Sequence, residues 1–163
     1  MQGIPLNERK RLGALLDDRP QTEVMAMIPQ FSQAETDNFV APPAKIPEAL
    51  GVLMFNMERG VNLPEIQEFL RDCPDIQPFD VILANELDDG CARSGNKNTA
   101  RELAQAFGLN YAWGLEFIEL VNDENAKGFH GNAVFSRWPI RRAGVIRLPE
   151  QYNWYFDRQK RIG

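Results

Sequence analysis

Asp80-Val-Ile-Leu-Ala-Asn-Glu-Leu-Asp-Asp89 is an apolar run that turns acidic at Glu86. A run of this length, rich in branched aliphatic residues, reads as a buried strand, and Glu86 then stands where the strand meets its exit loop. Taken alone, Glu86, Asp88 and Asp89 read as a solvated turn. A second run, Ala49-Leu-Gly-Val-Leu-Met-Phe-Asn56, repeats the pattern: apolar residues, one polar side chain, then Met57-Glu58-Arg59-Gly60 as the exit. Between the two, Asn62-Leu-Pro-Glu65 reads as a helix start, with Asn62 as cap and Glu65 closing a capping box. Leu63, Ile66, Phe69 and Leu70 supply that helix with an apolar face. A strand-helix-strand crossover makes its two strands parallel near neighbours, so Asn56 and Glu86 are expected to meet at one edge of a sheet. A carboxylate in that position is a natural ligand for a hard cation such as Mg2+.

Downstream of Glu86, Gly90-Cys-Ala-Arg-Ser-Gly-Asn-Lys-Asn98 is a polar loop, and Asn98 is placed to cap a helix carrying Ala100, Leu103, Ala104 and Phe107 up to a stop at Gly108. From Asn110 to Leu120 polarity alternates, with Tyr111, Trp113, Leu115 and Phe117 on one face and Glu116 and Glu119 on opposite sides. Those aromatics read as core rather than as a platform for stacking bases. A further strand is expected around Val134 and Phe135, closed by Pro139, and another over Ala143 to Leu148. His130 is the single histidine, which excludes a histidine-rich metal site and any mechanism that needs two imidazoles.

The chain of 163 residues, 44% hydrophobic, is long enough to bury one core without staples. Residues 46–163 read as that core unit. Residues 1–45 read as a partly helical extension that packs loosely or wraps it, with Asn7 capping a helix bearing Leu12, Leu15 and Leu16. Cys73 and Cys91 match no zinc or redox spacing and are expected as thiols. No stretch approaches the roughly 20 apolar residues of a membrane span, and the first residues lack a signal-peptide core, so a cytoplasmic protein is expected. The net charge of −5 argues against nucleic-acid binding through bulk electrostatics, but the distribution is uneven. From Arg137 onward seven basic residues face two acidic ones, a local balance of +5 against −10 upstream. That end suits a phosphate-bearing substrate or partner, or is simply a solvated surface.

Asn56 after an apolar strand, Glu86 in Asn85-Glu-Leu-Asp-Asp89, and His130-Gly-Asn-Ala-Val-Phe-Ser-Arg-Trp-Pro-Ile140 together resemble, in order, the first blocks of the endonuclease/exonuclease/phosphatase family. That family includes deoxyribonuclease I, abasic-site nucleases, sphingomyelinases and inositol polyphosphate phosphatases. The resemblance implies an α/β (α+β) fold in which this chain supplies half of a two-sheet β-sandwich flanked by helices, and hydrolysis of phosphate esters with Mg2+, or Mn2+ in its place. It makes Glu86 the metal ligand and Asn56 a catalytic residue beside it, orienting a carboxylate and helping to hold metal or phosphate. Asn132 and Arg137 become candidate substrate contacts. His130 is a candidate general base, with a structural or substrate-edge role preferred for it. The substrate is a phosphate ester, nucleic acids included.

The chain departs from the family pattern in its second half. After the His130–Ile140 block, where the family pattern places them, a His-Leu-Glu-like strand, an Asp-x-Asn pair and a terminal Asp-His pair have no counterpart here. General acid–base groups contribute about 10²- to 10⁴-fold in rate, so the chain alone is expected near background activity. A fragment of a longer product is the expectation, ahead of a half that assembles with another chain or a second copy, and of a catalytically silent member. The isolated piece is expected to leave one sheet face apolar and uncovered. The alternative function is an interaction module that uses this face or the basic end.

Overall fold

A computed structural model of the chain describes residues 1–148, 155, 156 and 159–163. The expected crossover is present. Strand β2 (Val52–Arg59) leads through α3 (Leu63–Asp72) to β3 (Val81–Asp89), and the two strands are parallel with Asn56 opposite Asn85. Strand β5 (Phe129–Ser136) lies antiparallel to β3, and β4 (Asn110–Glu119) antiparallel to β5. Short strands β7 (Gln159–Ile162) and β6 (Tyr155–Phe156) extend the sheet in the order β2-β3-β5-β4-β7-β6. Among the described residues the result is a mixed sheet with four α-helices, an α+β architecture.

One face of the sheet carries the core. Met57, Ile82, Ala84, Leu87, Trp113, Leu115 and Phe135 are buried there with Leu63 and Leu70 of α3 and with Ala100, Leu103 and Ala104 of α4 (Thr99–Phe107). Helix α4 starts and stops as its sequence dictates: the Arg101 N–H donates to Asn98 Oδ1 at 2.9 Å, and Gly108 takes the left-handed conformation at the C-cap. Helix α3 also begins after Asn62, yet Asn62 makes no side-chain cap bond, so the expected capping box is absent. The opposite face is open. Val52, Met54, Leu83 and Val134 are exposed on it at alternate strand positions, so the expected apolar face is uncovered over β2, β3 and β5, while residues 143–148 lie over its β4 side.

Three expectations are corrected. Residues 1–45 do more than wrap the core: α1 (Leu6–Leu15), α2 (Gln21–Met25) and β1 (Ala34–Asp37) belong to it, with Ile4, Leu12, Leu16, Val24, Ile28 and Phe31 buried and β1 paired antiparallel to β4. Helix α1 begins after Pro5, whose fixed φ suits the boundary, so Asn7 lies inside the helix instead of capping it. Residues 143–148 form no strand. They cross the open face as irregular chain, held by Arg147, whose Nη1 donates to the Glu116 carbonyl (3.1 Å) and whose Nε donates to that of Phe31 (3.1 Å).

The third correction concerns β4. Leu115 pairs with Gly131, but Phe117 pairs with His130, so Glu116 is an extra residue in the ladder. Gly131 and His130 point to opposite faces of β5, and the bulge therefore moves Phe117 off the face of Tyr111, Trp113 and Leu115. Ile118 and Leu120 take over the core positions, and Phe117 stacks on the His130 ring at 4.4 Å between centroids. Glu116 and Glu119, expected on opposite sides, end on the same one.

Candidate active site

Four polar side chains, one from each of four adjacent strands, cross the open face in sheet order. Asn56 Nδ2 on β2 donates to Glu86 Oε1 on β3 at 3.0 Å. The Glu86 N–H donates to Asn132 Oδ1 on β5 at 3.1 Å, and Asn132 Nδ2 donates to Glu116 Oε2 on β4 at 3.1 Å. Asn56 Oδ1 in turn accepts the Glu58 N–H at 2.8 Å, which fixes the orientation of its amide.

This row coincides with a line of ladder irregularities. Met57 and Glu58 lie opposite Glu86 alone, Asn85 and Glu86 lie opposite Asn132 alone, and Glu116 is the bulge of β4. Glu58, Arg59 and Glu86 have φ of 45°, 66° and 59°, left-handed values that cost a residue with a Cβ about 1–2 kcal/mol each. Bulges and left-handed residues re-aim side chains, and here they bring the Asn56 amide and the Glu86 carboxylate together. The row borders a cleft of about 1230 Å³ on the open face, lined by Leu83, Glu86, Glu116, Asn132, Val134 and Arg147 among others.

A buried ionic cluster sits beyond the row on the same face. His130 Nδ1 lies 2.7 Å from Asp88 Oδ1, and Arg93 reaches Asp88 through Nε (2.7 Å) and Nη2 (2.8 Å) and Glu119 through Nη1 (2.5 Å). Asn125 Nδ2 and Arg161 Nη2 also donate to Glu119, at 2.9 and 3.2 Å. Burial pushes the Asp88 carboxyl up, but the hydrogen bonds from His130 and Arg93 outweigh it and hold the group below its ordinary value. An ionised carboxylate only accepts, so His130 carries its proton on Nδ1.

The sequence-derived residues divide accordingly. Asn56, Glu86 and Asn132 are brought together. His130 lies two residues from Asn132 on β5 but is buried, stacked on Phe117 and bonded to Asp88, and it does not line the cleft. Arg137 stands at the other end of β3, its backbone N–H bonded to the Asp80 carbonyl and its Nε 3.7 Å from Asp80 Oδ1. That is about six strand residues, or roughly 20 Å, from Glu86. Of the basic end, Arg158 lies outside the described residues, Arg142 and Arg147 line the cleft, and Lys160 pairs with Asp17. Sequence reading passed over Glu116 and the Asp88–Arg93–Glu119 cluster. A lone charge inside an alternating strand carries no signal of which residue of a neighbouring strand it will meet.

Among the described residues Glu86 Oε2 has no hydrogen-bond partner, and the polar side chains of the row are the amides of Asn56 and Asn132 and the carboxylate of Glu116. Mg2+ takes one or two carboxylates and fills its octahedron with water, so this donor set fits a hard cation seated mainly on Glu86. Among the described residues no group of three His, Cys, Asp or Glu side chains is arranged around a cation position. No protein-family model, curated protein or solved structure matches the chain. No helix among the described residues is long and apolar enough to cross a membrane, and both cysteines are free thiols.

Proposed function

We propose that this chain is the cation-binding part of a divalent-metal-dependent hydrolase of phosphate esters, a phosphodiesterase, nuclease or phosphatase. The observation that carries this reading is the Asn56–Glu86 pair, held across parallel strands by a left-handed residue at a bulge. Non-glycine residues held in the left-handed region cluster at functional sites, where the surrounding structure holds the strain in place. The resemblance to the endonuclease/exonuclease/phosphatase family supports the same assignment, since Glu86 and Asn56 are the positions it marks.

Mg2+ or Mn2+ in such a site supplies positive charge where phosphate oxygens become more negative in the transition state. The protein's own part is to aim and to orient. Asn56 fixes one Glu86 oxygen by donating to it, which leaves the other free to take a cation. Asn56 is never a base at neutral pH, so its role is confined to hydrogen bonding. For His130, burial and the bond to Asp88 favour the structural role over that of general base. A cytoplasmic site of action accords with the two thiols.

The test is titration calorimetry with MnCl2 and MgCl2 on the wild-type chain and on Glu86→Gln, with hydrolysis of bis(4-nitrophenyl) phosphate assayed in the natural gene product. Binding near one equivalent that weakens at least tenfold in the variant, with a matching loss of activity, is the expected result. Equal affinity and activity in the two proteins overturn the assignment. The rival reading, an interaction module, draws on the exposed Val52, Met54, Leu83 and Val134. It predicts no cation binding and a chain that self-associates or binds apolar dyes in light-scattering and fluorescence measurements.

A further inference from the structure

We propose that Glu116 is a positioning residue for Glu86, acting through the side chain of Asn132. The inference rests on the reading of Glu86 as a cation ligand only for its functional consequence; the linkage itself is geometric. The Glu86 N–H, released from regular pairing by the bulge, finds its acceptor in Asn132 Oδ1 at 3.1 Å. An Asn side chain carries its acceptor and its donors on opposite ends, so it supports Glu86 only while its amide is turned the right way. The Glu116 carboxylate, which only accepts, takes Asn132 Nδ2 at 3.1 Å and thereby selects that orientation.

Glu116 is itself held. Arg147 donates to the carbonyls of Leu115 and Glu116, reaches the Phe31 carbonyl with its Nε, and stacks over the Phe31 ring at 4.5 Å. The bulge in β4 and this clamp place the Glu116 carboxylate over β5, where regular alternation continuing to Phe117 has no residue to spare. Each end of the Asn132 amide thus holds one bond to protein, and Asn132 acts as a brace for Glu86.

Amide hydrogen exchange of the 15N-labelled full chain by NMR reads the brace directly, and Mn2+ titration reads its consequence. Glu116→Ala frees the Asn132 amide to rotate; the Glu86 N–H is expected to exchange about tenfold faster, with Leu83 and Val134 amides unchanged, and Mn2+ to bind several-fold more weakly. Glu116→Gln still accepts from Asn132 through its own Oε1 and restores slow exchange. In Asn132→Asp two carboxylates face each other and the Glu86 N–H exchanges faster; adding Glu116→Gln provides a donor to the new carboxylate and restores protection. A purely structural role for Glu116 gives no such reciprocal rescue. Unchanged exchange of the Glu86 amide in Glu116→Ala overturns the proposal, as does failure of Glu116→Gln to restore it. Accelerated exchange with rescue, in a chain that binds no Mn2+ even as wild type, upholds the brace and overturns the cation reading of Glu86.

Discussion

Glycine at position 86 is expected to be better tolerated than alanine, the reverse of the order in an ordinary strand. Glu86→Ala and Glu86→Gly both remove the carboxylate and the bond from Asn56 Nδ2, so those losses cancel in the comparison. What remains is backbone. At φ 59° a Cβ costs about 1–2 kcal/mol, which glycine avoids. Against this, glycine loses more conformational freedom on folding, by about 0.5–1 kcal/mol. The glycine variant is therefore expected to be more stable than the alanine variant by about 0.5–1 kcal/mol, a shift of roughly 0.3–0.5 M in the urea midpoint at a slope of about 2 kcal/mol/M. Asn85, one residue earlier and outside the left-handed region, is the control, and there alanine is expected to be the more stable by a similar amount. Urea unfolding followed by Trp fluorescence and circular dichroism gives all four midpoints. An alanine variant as stable as the glycine variant at position 86 refutes the strained bulge and removes the main support for a purposeful Glu86.

The Asp88 cluster predicts a pH dependence. Because the folded-state carboxyl lies below its ordinary value, its contribution is full above the unfolded value near 3.8 and is lost as pH falls through the lower folded value. Asp88→Asn is expected to cost about 3 kcal/mol at pH 7, since Arg93 loses a buried partner, and to flatten the acid limb of stability below pH ~4; chemical unfolding at a series of pH values checks both. Asn98→Ala is expected to cost about 1 kcal/mol and Asn62→Ala only a few tenths, because only Asn98 makes its cap bond; thermal unfolding separates them. Gly131→Ala is expected to destabilise by about 3 kcal/mol or more, since a Cβ there meets the Gly114 carbonyl oxygen at 2.1 Å and backbone cannot step aside; loss of cooperative unfolding or of soluble expression is the readout.

The crossover was legible because every level of the sequence agrees on it. Val52–Phe55 and Val81–Ala84 are apolar throughout, α3 has one apolar stripe, and such a unit has essentially one way to fold, which places Asn56 beside Glu86. Asn98 and Gly108 bounded α4 for the same local reason. The failures share a different cause. The bulge at Glu116 reverses the faces of everything after it, and nothing local announces it: Tyr111, Trp113, Leu115 and Phe117 alternate as well as any strand, and only pairing with Gly131 and His130 decides that Phe117 turns away. Residues 143–148 look like a strand because Val145, Ile146 and Leu148 are apolar, yet they form none and are held instead by Arg147 on the carbonyls of Phe31, Leu115 and Glu116. The N-terminal extension looked peripheral because prolines interrupt it. Its leucines are nonetheless core, because Pro5 and Pro20 precede helices and so break nothing.

A site built on left-handed residues and three bulges needs something to stop the ladder from relaxing into regular register, and the ionic cluster supplies it. On one side of Glu86, Val81 to Ala84 pair without interruption with Ser136 to Ala133. On the other, Leu87, Asp88 and Asp89 pair with Gly131, His130 and Phe129, and there the register is locked by side chains as well: Asp88 to His130 across the two strands, and Arg93 from Asp88 to Glu119 on β4. Sliding β3 by one residue would move Asp88 to the apolar face and leave two buried carboxylates without their guanidinium, a cost of several kcal/mol that exceeds the roughly 1–2 kcal/mol recovered by relaxing Glu86. His130 thus has a structural reason to be the chain's one histidine. Its ring fills the space under Phe117 while its Nδ1 proton fixes the strand whose bulge aims Glu86.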